Sequence, residues 1–365
     1  MNHEFIEALD ELEKDRGIDK DILIDTIEQA LLTAYKKNFG SAQNVRVEFD
    51  RVNGGVKVYS QRVVVGSEDI YDTFLEIELD EARAISPNYE IGDIIEHEIT
   101  TTEFGRIAAQ TAKQVVVQRI REAERDIVYN EFIDKQDEIV TGEVARANKN
   151  LAYVNLGRIE AIMPQTEQIP GEHYKAGQKI KVYILEVKKT NKGPQISVSR
   201  SHPGLVKRLF EMEVPEIFDG TVQIKSVARE AGSRTKMAVY SVDENIDPIG
   251  ACVGPKGSRV KNIVDELGDE KIDIIKYSEN PAEFISAALS PSKVVSVDVN
   301  EEEKSAVVIV PDYQLSLAIG KEGQNARLAA KLTNWKIDIK SESQAAKEAQ
   351  EVLSEVNDDI EIDAE

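Results

Sequence analysis

Two short glycine loops carry the most specific chemistry in the sequence. Each has the pattern Gly-x-x-Gly, with basic residues inside it or just after it. Glycine has no Cβ, so the main chain of such a loop can come close to a sugar–phosphate backbone. A helix that begins at the loop adds free N–H groups and the positive end of its dipole, and both favour phosphate oxygens. We therefore predict two phosphate-binding sites, formed by Gly254, Pro255, Lys256, Gly257, Arg259 and Lys261 and by Gly320, Lys321, Glu322, Gly323 and Arg327.

Each loop lies inside a longer repeat, in which Gly254 and Gly320 are 66 residues apart. Two strand-like runs and a short apolar helix precede each loop, and a second helix and a Lys-Ile-Asp-Ile strand follow it. This context matters, because Gly-x-x-Gly by itself arises by chance in a chain with 21 glycines. The second helix has its apolar residues at helical spacing, at Val260, Ile263, Val264 and Leu267 in the first copy and at Ala326, Ala329 and Ala330 in the second.

A repeated β-β-α-GxxG-α-β unit favours single-stranded RNA as the ligand. The bases would lie in an apolar groove beside the loop, about four nucleotides per unit. The alternatives are a helix-turn-helix hairpin with glycine for tight packing and a reader of duplex DNA. The flanking strands do not belong to a simple helix-turn-helix. Glu322 places an acid in the second loop, so we expect the second unit to bind RNA more weakly.

The residues before the repeat divide into two parts. Residues 19–39 predict an amphipathic helix with Asp19 as its N-cap and Gly40 as its stop. Alternating runs at 45–49 and 56–65 predict a hairpin, and 103–132 predicts a long charged helix. These elements together predict one N-terminal α+β domain.

Residues 137–200 change to short strands between glycine turns. Five such strands, with ten basic and seven acidic side chains, predict a small closed OB-type barrel. A small β-domain with a purely structural role stays open as the alternative. A helix at 203–213 begins the next unit, and the acidic residues from 343 predict a disordered tail or a solvated helix.

Composition limits the class of protein. The net charge is −22, concentrated at the two ends of the chain, so a nucleic-acid site must be a local basic surface. The single cysteine, Cys252, excludes an internal disulfide. The N-terminus carries acids where a signal peptide would be basic, and no run approaches the roughly 18 apolar residues of a membrane span. We therefore expect a cytoplasmic protein without a membrane partner.

Residues with catalytic or metal-binding side chains form no recognisable motif. Cys252 has no histidine nearby in sequence, and the acidic run 301–303 is typical of a solvated turn. Neither glycine loop continues as Gly-Lys-Ser/Thr, so neither is a Walker-type nucleotide-binding loop. The histidines lie in unrelated contexts, at His3, His97, His173 and His202. We therefore expect no enzyme, no metal and no cofactor.

The segments around the loops resemble a known family. IGACVGPKGSRV and LAIGKEGQNARLAAKLTNWKIDI are similar to the tandem KH domains of the NusA family of bacterial transcription termination/antitermination factors. Residues 137–200, with TGEV, YVNLGRIEAIMP and ISVSR, are similar to the S1 domain that precedes them in that family. Residues 1–125 match its polymerase-binding domain in position, length and element order.

The resemblance implies a fold and its boundaries. We expect an α+β multidomain chain of the shorter form of the family, without C-terminal acidic repeats. Its parts would be an N-terminal RNA polymerase-binding domain with a long helix at 1–130, an S1 barrel at 137–200, type II KH domains at 203–278 and 281–342, and an acidic tail at 343–365.

The resemblance also implies function and partners. We expect a transcription elongation factor that binds core RNA polymerase and nascent single-stranded RNA and modulates pausing, termination and antitermination. Other antitermination factors are further expected partners, and we expect a monomer. By its position in the S1 domain, Tyr153 would stack on a base, and Arg200, which closes the last barrel strand, would also contact RNA. Few aromatics lie beyond Tyr153 and Tyr183, so we expect weak sequence-specific binding by this domain.

Two other functions stay open. One is a ribosome-associated RNA binder. The other is an RNA-processing enzyme, since KH and S1 domains also accompany phosphorolytic exoribonucleases. In those enzymes a long catalytic part comes first and KH usually precedes S1, whereas only 136 residues precede the barrel here.

Overall fold

The structure is a computed structural model, which describes residues 3–16, 18–39, 44–51, 53–148, 150–348 and 350, without the side chains of residues 3, 4, 15 and 16. Two compact units are present, Met1–Asn130 and Glu131–Glu365. No helix within the described residues combines the length and the apolarity that crossing a bilayer requires.

The first unit is built on a four-stranded sheet whose central strand is the second one. That strand pairs antiparallel with the first and fourth strands and parallel with the third. The predicted helix, hairpin and long helix are all present, and Asp19 caps its helix by accepting from the Ile22 N–H at 3.1 Å. The stop predicted at Gly40 lies outside the described residues. The elements are α1 His3–Arg16, α2 Lys20–Phe39, β1 Asn44–Phe49, β2 Val56–Val65, β3 Glu76–Glu78, α3 Leu79–Ile85, β4 Ile94–Glu98 and α4 Thr102–Ile133.

This unit has two apolar clusters. The larger one packs Ile24, Ile27 and Leu31 of α2 against β1 and against Phe104 at the start of α4. The smaller one lies under β3, α3 and β4, and we call the part of the chain from 66 to 98 the small lobe. Its core contains Ile77, Ala82 and Ile95, which pack with Val64 of β2.

The second unit begins with the predicted barrel. Its five strands close in the order β5-β6-β7-β9-β8, with β7 and β9 parallel. The predicted five-strand barrel is therefore confirmed. The strands are β5 Ile139–Ala147, β6 Leu151–Asn155, β7 Glu160–Pro164, β8 Lys179–Thr190 and β9 Gly193–Ser199.

Two similar α+β domains follow the barrel. In each three-stranded sheet the first two strands pair antiparallel and the last two pair parallel, which is the type II KH arrangement that the sequence predicts. The elements of the first are α5 Pro203–Glu213, α6 Pro215–Phe218, β10 Val222–Glu230, β11 Arg234–Ser241, α7 Pro248–Val253, α8 Ser258–Glu266 and β12 Lys271–Lys276. Those of the second are α9 Pro281–Ala288, β13 Ser296–Asn300, β14 Ser305–Val310, α10 Leu315–Ile319, α11 Gln324–Thr333 and β15 Lys336–Ser341.

The two KH domains share an apolar core. Met237 and Val239 of β11 face the helices of their own domain. Ala238, between them, points to the other face of the sheet, where it packs in one cluster with Ile285 of α9 and Leu328 of α11. The sheet of the first domain is therefore covered on both faces, and the pair forms one body. Residues 342–348 continue as a helix, while the rest of the expected acidic tail lies mostly outside the described residues.

A buried ion pair holds the turn between β10 and β11. The side chains of Arg229 and Glu270 are both 0% exposed. The Glu270 carboxylate accepts from Arg229 Nε and Nη2 at 2.9 Å and from the Gly232 N–H at 2.8 Å, and also from the Thr235 hydroxyl. Arg229 Nη1 donates to the His202 carbonyl at 2.9 Å, just before α5. One carboxylate thus fixes the turn.

We expect Glu270→Ala to lower the free energy of unfolding of the second unit by about 3–5 kcal/mol, because it leaves the Arg229 charge buried without its partner. The measurement is urea denaturation of the full chain. Glu279→Ala, which removes an exposed carboxylate just after β12, serves as the control and should change stability by less than about 0.5 kcal/mol. Equal effects of the two substitutions would contradict the assigned role of the pair.

Candidate nucleic-acid interface

The two glycine loops have the same backbone conformation, residue by residue. The first glycine of each has a positive φ with extended ψ, a region essentially open only to glycine. The third and fourth residues of each loop are left-handed. The first glycines have φ and ψ of 72° and 176° (Gly254) and of 76° and 173° (Gly320). The third residues have 54° and 26° (Lys256) and 53° and 28° (Glu322). The second glycines have 76° and 16° (Gly257) and 75° and 13° (Gly323).

The two glycines of each loop are required for different reasons. A Cβ on Gly320 would lie 2.8 Å from the Asn325 backbone nitrogen, and one on Gly254 would lie 2.7 Å from Arg259 Cγ. The first glycine therefore makes room for the helix that follows. In contrast, no described atom lies within 4 Å of a Cβ placed on Gly257, and only Arg327 Nη1, at 3.9 Å, approaches one on Gly323. The second glycine is thus the one that leaves main chain open to a ligand.

Equivalent side chains join the two helices around each loop. Arg259 Nη1 donates to the Ala251 carbonyl of α7 at 2.6 Å and to Glu216 at 2.9 Å. Asn325, at the equivalent position of the second domain, is 2% exposed and donates to the Ala318 carbonyl of α10 at 3.1 Å. Arg259, predicted as a phosphate contact, therefore holds its loop together.

The lysines of the loops are free, whereas the arginines are not. Within the described part of the chain, Lys256, Lys261 and Lys321 are exposed and take part in no ion pair. Pro255 is also exposed, at the tip of the first loop. Glu322 is exposed as well, and this acid adds a negative charge beside Lys321.

Arg327 joins the second loop to the first KH domain. Its Nε donates to Glu230 Oε1 at 2.6 Å, and its Nη1 donates to the Glu322 carbonyl at 3.0 Å. Gln324 Nε2 donates to the second oxygen of Glu230 and to Ser233 Oγ, both at 2.8 Å. The hydrogen bond from Arg327 lowers the pKa of Glu230, so the carboxylate stays charged at neutral pH. The second loop is therefore anchored to the β10–β11 turn.

Tyr153 lies half-buried on the outer face of the barrel. Arg146, its partner in the β5–β6 register, places its guanidinium 3.9 Å from the ring centroid. One ring face is covered by this cation, which Glu160 also binds at 3.2 Å. A base at this position would therefore stack on the Arg146–Tyr153 pair.

Arg200 is buried between the barrel and the first KH domain. Its side chain is 2% exposed, and it donates to both oxygens of Glu172, to Glu266 Oε1 and to the Lys181 and Glu266 carbonyls. Every guanidinium nitrogen is engaged, so the predicted RNA contact does not agree with its position. Arg200 instead fastens the two domains together, and we leave it out of the interface.

In the part of the chain that the structure describes, the nucleophilic and metal-ligating side chains are not assembled into a site. Cys252 is fully buried, and burial raises the pKa of its thiol to about 12, so it is not a thiolate at neutral pH. His202 accepts from the Gly204 N–H as a helix cap. Among the described residues, no group of three or more histidine, cysteine, aspartate and glutamate side chains is placed to hold a metal ion.

No pattern in the sequence indicated that Glu230, Gln324 and Ser233 belong to the interface. Glu230 and Ser233 lie far from the second loop along the chain, and Gln324, which follows the loop directly, has a common polar side chain. The 66-residue offset could have shown that Asn325 is equivalent to Arg259, because it aligns the two positions directly.

Comparisons with known proteins agree with this architecture. A closed barrel joined to two type II KH domains that carry paired GxxG loops defines a multidomain RNA-binding protein of the S1–KH class. Models of the NusA N-terminal domain, the S1 RNA binding domain, the NusA-like first KH domain and the NusA-like second KH domain match residues 4–126, 133–199, 200–277 and 281–347.

Relatives over nearly the whole chain identify the family. The transcription termination/antitermination protein NusA of Halalkalibacterium halodurans is 61% identical over 94% of this chain and 90% of its own length. The Bacillus subtilis protein of that name is 61% identical over 94% of this chain and 92% of its own. The solution structure of the N-terminal domain of the B. subtilis protein is 54% identical, covers 34% of this chain and 99% of that chain, and has a TM-score of 0.32. The chain belongs to the NusA family, and the predicted role in transcription termination and antitermination is confirmed.

The different roles of the glycines can be tested by two matched substitutions. We expect Gly320→Ala to lower the free energy of unfolding by about 2–3 kcal/mol, because the new methyl group meets backbone and the φ is reserved for glycine. Gly323→Ala should cost only about 1 kcal/mol, because its Cβ enters open space and only the left-handed φ is strained. Chemical denaturation measures both values. A larger loss for Gly323→Ala would reverse the assignment.

Proposed function

We propose that this protein is a transcription elongation factor that docks on core RNA polymerase through residues 1–130 and holds nascent single-stranded RNA with the barrel at 137–200 and the KH domains at 203–278 and 281–342. The observation that carries the proposal is the pair of glycine loops with identical backbone, fixed on one body through a shared core. Two phosphate segments of one strand can then be bound at a set separation.

The loops are suited to phosphate by their open main chain and their free lysines. Lys256 and Lys261 would contact phosphate at the first loop, and Lys321 would do so at the second. Apolar side chains that are only partly buried follow on the neighbouring helix and strand, including Val260 and Ile274 in the first domain. Bases would rest on these side chains, as single-stranded RNA does in KH grooves.

The small lobe of the first unit supports docking on a protein. Five large apolar side chains on it are more than half exposed, at Tyr71 90%, Phe74 59%, Ile85 62%, Ile91 64% and Ile94 54%. Exposed apolar side chains gathered on one small part of a chain are typical of protein interaction sites. We assign core RNA polymerase as the partner because the family acts in transcription.

Several further properties belong to the proposal. The factor works as a monomer in the cytoplasm, where transcription takes place, without catalysis and without a cofactor. Other antitermination factors join it on the polymerase, and its binding changes pausing, termination and readthrough. A transcription assay with purified polymerase, which measures the lifetime of a hairpin-dependent pause with and without the protein, tests this function directly.

We expect Lys256→Asp with Lys321→Asp to weaken binding of single-stranded RNA about tenfold or more, because each substitution removes a phosphate contact and adds repulsion. The slope of log affinity against log salt should fall by about 0.7 for each lysine. Fluorescence anisotropy over a range of salt concentrations measures both quantities.

The matched control is Lys207→Asp with Lys304→Asp, which makes the same charge change on α5 and on the β13–β14 turn. Both lysines are exposed. This control should keep the salt slope of the unchanged protein. An unaltered slope in the loop variant would rule out phosphate contacts at these lysines.

We expect Phe74→Ser with Ile91→Ser to weaken binding to core RNA polymerase about tenfold, because exposed apolar side chains at an interface core contribute most of its binding energy. Ile22→Ser is the control, because Ile22 is 61% exposed on α2, outside the small lobe. Capture of purified core polymerase, with ribosomes as a parallel bait, measures the effect. If the unchanged protein binds ribosomes but not polymerase, the proposal is wrong. If the lobe variant binds polymerase as well as the unchanged protein does, the docking site lies outside the small lobe.

A further inference from the structure

The barrel carries a cleft that the RNA contacts above do not use. It has a volume of about 430 Å³ and lies between the β5–β6 turn and the loop 165–174 that follows β7. Ile169 and Pro170 form its apolar wall. Its polar side chains include Asn148, Gln165, Gln168 and His173. This volume lies within the range of small-molecule sites, which combine apolar walls with a few placed polar groups.

Two amides of the cleft are held in fixed orientations. Asn148 Oδ1 accepts from the N–H groups of Asn150 and Leu151 at 3.0 and 2.9 Å. Gln168 Nε2 donates to the Met163 carbonyl at 3.0 Å. Asn148 Nδ2 and Gln168 Oε1 have no bond to another described residue, so one donor and one acceptor are left for a ligand.

The loop that carries the cleft is braced from behind. The Tyr174 hydroxyl donates to Glu172 at 2.7 Å and accepts from the Ile169 N–H at 3.1 Å. Arg200 binds both oxygens of Glu172. The site is therefore largely formed before any ligand arrives, which reduces the entropy lost on binding.

The cleft lies next to the second glycine loop, separated from it by one turn. A Cβ on Gly232, in the β10–β11 turn, would lie 2.7 Å from Ile169 Cγ2, so the turn packs on the wall of the cleft. The next residue, Ser233, accepts from Gln324 at the start of α11. The second glycine loop and the wall of the cleft therefore contact the same turn.

The chemistry of the lining favours a base over a phosphate. Among the described residues that line it, three carry side-chain amides, Asn148, Gln165 and Gln168, and the carboxylate of Glu172 is bound by Arg200. Asn148 Nδ2 is a free donor and Gln168 Oε1 a free acceptor, and such a pair complements the edge of a nucleobase. Bases of single-stranded RNA are recognised on such edges when they leave the stack.

We propose that this cleft is a nucleobase site, which takes one unstacked base of the RNA segment that neighbours the second glycine loop. The proposal rests on RNA binding by the KH domains and adds a base contact on the barrel. It gives the barrel a means of reading sequence that does not depend on surface aromatics. Gln168 and Asn148 are the residues that would contact the base edge.

The test uses the full chain and an unstructured oligoribonucleotide long enough to span the barrel and both KH domains. A series of the same oligonucleotide carries one abasic nucleotide at successive positions. We expect one position to lower the affinity of the unchanged protein about tenfold, because it removes the base that fills the cleft. Gln168→Met, which keeps the volume but removes the amide, should weaken binding of the intact RNA about threefold or more and should abolish the sensitivity to that position.

The salt slope should stay unchanged in Gln168→Met, because no phosphate contact is lost. Gln195→Met, which changes an exposed amide on β9 outside the cleft, is the control and should bind like the unchanged protein.

His173→Ala provides a second cleft variant, and 4-thiouridine RNA should cross-link to the peptide 165–174. Equal losses along the abasic series in the variants and the unchanged protein, or cross-links confined to the glycine loops, would overturn the nucleobase site. Failure of all RNA binding would instead overturn the proposed function.

Discussion

The arrangement of the RNA-binding domains depends on one buried carboxylate. Glu270 fixes the β10–β11 turn through Arg229 and the Gly232 N–H. On one side of that turn Ile169 of the barrel packs against Gly232, and on the other side the second glycine loop is anchored to Glu230 and Ser233 through α11. Three domains therefore meet at residues 230–233. A fully desolvated carboxylate is stable only with all its donors present, so the turn is rigid.

The turn explains why the arginines near the glycine loops differ from the lysines. A guanidinium can bind a carboxylate and a carbonyl at once in fixed geometry, and Arg259 and Arg327 each do so. A lysine is a mobile point charge, which suits a phosphate that arrives from solvent. The arginines thus build the loops, and Lys256, Lys261 and Lys321 remain for the ligand.

Local patterns in the sequence predicted what depends on near neighbours. The glycine spacing, the strand alternation and the Asp19 cap are local, and each predicted element formed. The small lobe was missed because its strand β3 has only three residues, too few for a period. The roles of Arg259 and Arg327 could not be predicted, because their carboxylate partners lie 43 and 97 residues away along the chain. The sequence shows which residues are charged, whereas only the fold shows which of these charges are already paired.

The acidic composition limits how this protein can hold RNA. With a net charge of −22, the field of the whole chain repels phosphate, so long-range attraction cannot supply the affinity. Under the proposed function, short-range contacts at the glycine loops supply it, and each loop alone offers one or two free lysines. Two weak sites on one rigid body act together, because binding at the first raises the effective concentration of the strand at the second. The apolar core that joins Ala238 to Leu328 fixes the two loops on one body, and under the proposed function it therefore contributes to RNA affinity together with them.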